Sequence, residues 1–121
     1  MINCIVVGLG GFIGSVLRYL IGLIPLKTDG IFPLKTLAIN IIGAFALSLI
    51  VAFASKDCSI PPRIVLMLKI GVCGGFTTFS TFAYEATDLF TNGKVLFAFA
   101  YILLSVALSV IAVFLGQILV K

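Results

Sequence analysis

The chain has 121 residues, of which 62% are hydrophobic and 10% charged, and its mean hydropathy is +1.34. A soluble domain is about 45–50% apolar and about 25% charged, so this composition excludes a soluble globular enzyme, a disordered tail and a disulfide-stapled secreted module. The net charge of +4 is spread over single, scattered cations without a basic patch, which excludes nucleic acid as a partner, and the absence of histidine excludes imidazole bases and His-ligated metals.

The first apolar stretch runs from Ile2 to about Ile24 and is interrupted by Arg18. It lacks a basic leading region and a small-residue cleavage site, so it reads as a retained span and not as a signal peptide. Gly10 and Gly14 place small residues four apart on one helical face, a pattern that lets helix backbones approach closely in lipid. The glycines from Gly8 to Gly14 fail the spacing of a dinucleotide fingerprint, because position 13 is Ile13. Pro25, Asp29, Gly30 and Pro33 then form a turn.

The second stretch, about 36–54, carries Thr36, Asn40, Ala44 and Ser48 four apart, on one face. A hydroxyl can bond back to its own helix. The Asn40 amide has two N–H donors and an acceptor, more than one backbone carbonyl can satisfy. Asp57, Ser59, Pro61 and Pro62 mark the next connection.

The third stretch, about 64–90, is long enough to cross a bilayer and too polar to face lipid. It holds Lys69, Gly71, Gly74 and Gly75, then Thr77, Thr78, Ser80 and Thr81, and later Glu85 and Asp88. Non-helical backbone at membrane depth is tolerated only inside protein or along a wet cavity. We therefore expect a span broken near Gly74–Thr78 on the inside of an assembly. Phe79 and Phe82, three apart among four hydroxyls, could aim positive ring edges at a small anion, although paired Phe also serves plain packing. Glu85 and Asp88 share one face near a helix end, where solvation or a partner such as Arg18 is expected.

Asn92-Gly93 is a tight-turn signal, and the fourth stretch, about 95–120, carries Tyr101, Ser105 and Ser109 on one face. Cys4, Cys58 and Cys73 form no CxxC pair and read as small apolar filler. The expected fold is therefore all-α and integral to the membrane: one four-helix transmembrane domain over 1–121, with a broken third helix. Loop cations, which set orientation, tie. Lys56, Arg63, Lys69 and Lys121 on one side face Arg18, Lys27, Lys35 and Lys94 on the other. Either both orientations insert, making an antiparallel dimer possible, or a factor other than loop charge fixes one.

Three motifs carry a family resemblance over essentially the whole chain. They are Gly11-x-x-Gly14-x-x-x-Arg18-Tyr19, Thr36-Leu37-x-x-Asn40-x-x-Gly43-x-Phe45, and Gly71-x-x-Gly74-Gly75-x-Thr77-Thr78-Phe79-Ser80-Thr81-Phe82. The chain resembles the Fluc (CrcB) fluoride channels. The resemblance implies a dual-topology antiparallel homodimer in the plasma membrane with two fluoride pores; a heterodimer with a homologue stays open. It implies that Asn40, Phe79 and Phe82 line the pore, with Ser80 and Thr81 beside them and a polar track of Tyr101, Ser105 and Ser109. It implies a structural Na⁺ at the dimer centre, held by backbone carbonyls of Gly74 and Thr77, with Arg18 in the vestibule region and Glu85 as the carboxylate after the motif. No nucleophile–base pair or carboxylate dyad suggests an enzyme. A proton-coupled cation exporter would need a carboxylate in the first span, where only Arg18 is charged.

Overall fold

The computed structural model describes residues 1–121 and is all-helical. Four stretches are long and apolar enough to cross a membrane: Ile2–Gly22, Leu34–Lys56, Pro62–Thr91 and Val95–Val120. Helix α1 (Ile2–Gly22) stops ahead of Pro25, and the following turn places Gly30 at φ 80. Asp29 accepts from the Leu26 N–H and pairs with Lys35 at 3.1 Å, and these contacts hold its carboxyl below the ordinary carboxylate range. Helix α2 (Leu34–Lys56) carries Lys56 in its last turn, where a cation complements the helix dipole.

The third span has several parts. Helix α3 (Pro62–Leu66) opens on a proline, whose missing N–H costs nothing at that position. It continues as a π-helical segment, Met67–Cys73, whose N–H groups bond five residues back, where the sequence reading expected plain α-helix. A short helix α4 (Gly74–Phe76) follows. Thr77 and Thr78 then run extended, at φ −77, ψ 158 and φ −150, ψ 114, before helix α5 (Phe79–Thr91) begins. The third span is thus broken at Thr77–Thr78, within the expected window. Gly93, at φ 76, turns the chain, and the Lys94 N–H closes on the Leu89 carbonyl at 2.8 Å. Helix α6 (Val95–Val120) completes the chain.

The break lets the two halves of the third span pack on different neighbours: the π segment and α4 lie along α1, while α5 packs on α6. On the α1 side the contact is backbone to backbone. A Cβ built at Gly10 or Gly14 would collide with the carbonyls of Met67 and Val72, and one at Gly75 would stand 2.6 Å from the Gly11 carbonyl. The small-residue face expected on α1 therefore meets Gly71 and Gly75 of the third span. Helix α2 runs along α6, where Ser48 donates to the Val113 carbonyl at 2.6 Å and Gly116 leaves room for it. A core of Leu37, Ala86, Leu89, Ala98 and Tyr101 joins α2, α5 and α6, with Ala98 and Tyr101 fully buried.

Candidate functional site: a broken helix beside a file of aromatic rings

The break is held by side chains from neighbouring helices. In an unbroken helix the Thr78 N–H would close on the Gly74 carbonyl. Here it donates to Asn40 Oδ1 at 2.8 Å, while Asn40 Nδ2 donates to the Thr78 carbonyl at 3.1 Å. The Asn40 amide thus pairs with Thr78 as an adjacent β-strand would, with one Nδ2 hydrogen left over. Both Thr77 donors, N–H and Oγ1, point back to the Cys73 carbonyl at 3.0 and 2.9 Å. The Thr77 carbonyl itself accepts no hydrogen bond within the chain. Thr78 Oγ1 caps α5 by accepting from the Thr81 N–H at 3.2 Å, and it lies 3.5 Å from Ser80 Oγ. Arg18 reaches from α1 to the same place, its Nε donating to the Gly75 carbonyl at 3.2 Å.

Along α5 the rings of Phe79 and Phe82 stand 5.6 Å apart, and Phe82 lies 5.1 Å from Tyr101 of α6. Phe79 is 79% exposed, whereas Phe82 is half-buried between its two neighbours. The file ends at Glu85, one turn beyond Phe82. Glu85 Oε1 accepts from Thr36 Oγ1 at 2.7 Å, and Oε2 accepts from the Tyr101 hydroxyl at 3.2 Å. Further along α6, Ser105 is buried and its hydroxyl has no partner, and Ser109 is half-buried. Ser80 is exposed beside the break.

The structure thus brings Asn40, Phe79, Phe82, Tyr101 and Glu85 into one continuous run around the break. A cavity of about 700 Å³ opens beside this run, between α1, the α1–α2 turn, α2 and α5. Arg18, Thr36, Thr78, Thr81 and Glu85 line it, so it touches the break and the Glu85 end of the run, whereas Asn40, Phe79, Ser80, Phe82, Tyr101, Ser105 and Ser109 do not line it. Of the two settings expected for Glu85 and Asp88, the pairing with Arg18 does not form: the Arg18 Nε donates to the Gly75 carbonyl and Glu85 accepts from two hydroxyls, while Asp88 is exposed to solvation. The polar stripe of α2 is spent the same way: Thr36 on Glu85, Asn40 on Thr78 and Ser48 on Val113. Sequence reasoning missed the Thr36–Glu85–Tyr101 junction, although Thr36 lies one turn before Asn40 and Glu85 one turn after Phe82, spacings that could have suggested it. It also missed that the Asn40 amide captures the Thr78 backbone on both its N–H and its carbonyl.

The family described as CrcB-like protein, camphor resistance (CrcB), matches residues 5–117. The chain belongs to the Fluc (CrcB) family. Its relatives extend the match to the full length. It is 43% identical over 123 residues to the fluoride-specific ion channel FluC of Ruminiclostridium cellulolyticum, covering 100% of this chain and 94% of that one. It is 42% identical over 121 residues to the protein of the same name from Chlorobaculum tepidum, covering 100% and 96%. With the Clostridium perfringens protein of that name the identity is 39% over 122 residues, covering 100% and 95%. Every residue of the run described above falls inside the CrcB match, and the four spans make this family member a multi-pass membrane protein.

Proposed function

We propose that this chain is a fluoride-selective passive ion channel, not an enzyme, that exports fluoride across the plasma membrane and so lowers its cytoplasmic level. The observation that carries the reading is the ring file Phe79–Phe82–Tyr101 leading from a broken, hydroxyl-rich helix to Glu85. The relatives' name, fluoride-specific ion channel, identifies the ion. Fluoride is small and strongly hydrated, so it must exchange water for donors that release it again. The positive edges of Phe79 and Phe82, the spare Asn40 N–H and the hydroxyls of Ser80, Thr81, Ser105 and Ser109 supply such donors in sequence. The buried, unpartnered Ser105 hydroxyl supports this reading, since an idle buried donor costs about 1–3 kcal/mol.

The working unit in this reading is a dual-topology antiparallel homodimer with two pores. The tied loop charges support it, as does the exposure of Phe79 at 79% and Tyr84 at 74%, which leaves one chain's pore wall incomplete. Between the two copies lies a structural Na⁺ that is not transported. The donor set fits a hard monovalent cation, which takes oxygen ligands. The Thr77 carbonyl accepts no bond, the Gly74 carbonyl is deprived of the Thr78 N–H, and no group of acidic or thiol side chains offers an alternative. When bound, the ion supplies fixed positive charge that ties two breaks together, while Arg18 holds the neighbouring Gly75 carbonyl away from it.

The test is reconstitution of the purified chain in liposomes loaded with fluoride. A fluoride electrode should register rapid efflux once a counter-ion path opens, and chloride-loaded vesicles should not leak. Equal rates for both anions would reject selectivity, and no efflux at all would reject the channel.

A further inference from the structure

We propose that Asn40 is the positioning residue of the sodium site, in addition to lining the pore; the inference rests on the proposed Na⁺ at the break. The argument starts from one peptide unit. The Thr77 carbonyl and the Thr78 N–H belong to the same planar, trans peptide and point in opposite directions. Asn40 Oδ1 takes that N–H at 2.8 Å. The carbonyl on the other end is therefore aimed away from Asn40 and is polarised by the bond behind it.

The same contact governs the second proposed ligand. The Thr78 N–H is the donor that a continuing helix would give to the Gly74 carbonyl. With Asn40 absent, that N–H would lie unpaired at membrane depth, and the cheapest remedy would be to resume the helix. Resuming it would engage the Gly74 carbonyl and turn the Thr77 carbonyl along the helix axis. Asn40 also holds the far side of the residue, through Nδ2 to the Thr78 carbonyl at 3.1 Å, which fixes Thr78 at φ −150 and ψ 114. One side chain on α2 therefore keeps both carbonyls out of the helix.

The experiment follows the thermal unfolding midpoint of the purified full chain in detergent as Na⁺ replaces a bulky organic cation at constant ionic strength. The wild-type midpoint rises saturably with Na⁺. Losing a group that orients a metal ligand costs about 10–100-fold in metal affinity, so Asn40→Ala raises the half-saturating Na⁺ concentration at least about tenfold. Thr78→Ala serves as the control for plain destabilisation. It removes the cap to the Thr81 N–H but leaves the Asn40 pair with the Thr78 backbone, so it lowers the midpoint at every concentration without moving half-saturation. In unmutated protein the Thr78 amide proton resonance shifts as Na⁺ saturates, a readout that needs no variant to fold. A wild type indifferent to Na⁺ overturns the sodium reading and this inference with it. A saturable wild type with an unmoved Asn40→Ala half-saturation, or a Thr78 resonance blind to Na⁺, overturns this inference alone.

Discussion

Phe79 and Phe82 occupy the same face of α5, but one is exposed and the other is held against Tyr101. Replacing either ring with an aliphatic side chain keeps apolar bulk and removes the positive edge. Phe79→Ile and Phe82→Ile should therefore reduce fluoride efflux from liposomes to the leak of empty vesicles while size-exclusion chromatography gives the same elution as the unmutated protein. Undiminished flux in both would discredit the ring edges as anion donors. Ser105 gives a prediction of opposite sign for stability and activity. Its hydroxyl is buried without a partner, so Ser105→Ala should raise stability in chemical unfolding by about 1 kcal/mol. The same change should slow efflux, because it deletes a donor from the proposed track. A variant both less stable and fully active would show that the hydroxyl is structural.

Among the elements, the third span depends most on its neighbours. Its first part lies against α1 through glycines so close that a single methyl collides with backbone: Gly14 faces the Val72 carbonyl and Gly10 the Met67 carbonyl. Overpacking a tight contact costs about 1–3 kcal/mol. Gly14→Ala should destabilise the chain by about that amount in detergent unfolding. Gly8→Ala has nothing within 4 Å and should gain about 0.5–1 kcal/mol from helix propensity. Equal effects at both positions would mean that the close α1 contact does not form. The periodic glycines made this face legible in the sequence, because small residues four apart have few other uses in lipid. The π-helical segment was not legible, because no residue type marks the widening of a turn. The Glu85 junction was half legible: the carboxylate was visible, but its partners come from two other helices.

For the whole molecule, the tied loop cations and the proposed antiparallel pairing make one observable demand. Cys4 and Cys58 are exposed and stand at the same end of the bundle, whereas Cys73 is buried. A membrane-impermeant thiol reagent added outside intact vesicles should modify about half of the Cys58 sites, since loop charge sets orientation and here favours neither side. Adding two cations beside it, as in Ser59→Lys with Ile60→Lys, should drive the population to one orientation and abolish efflux. Full or zero labelling of the unmodified chain would exclude dual topology.

Composition and hydropathy by themselves determined that this is an all-helical membrane chain with four spans, because water cannot solvate so many apolar residues and lipid cannot satisfy an open backbone. The glycine and hydroxyl cluster likewise placed the interruption of the third span. Tertiary structure alone decided which groups that interruption engages: Asn40 on Thr78, Arg18 on Gly75, and Glu85 shared by Thr36 and Tyr101. These partners lie 16 to 57 positions apart in sequence. A freed backbone or buried carboxyl group bonds to whichever donor the packing brings near, and one-dimensional spacing carries no record of that.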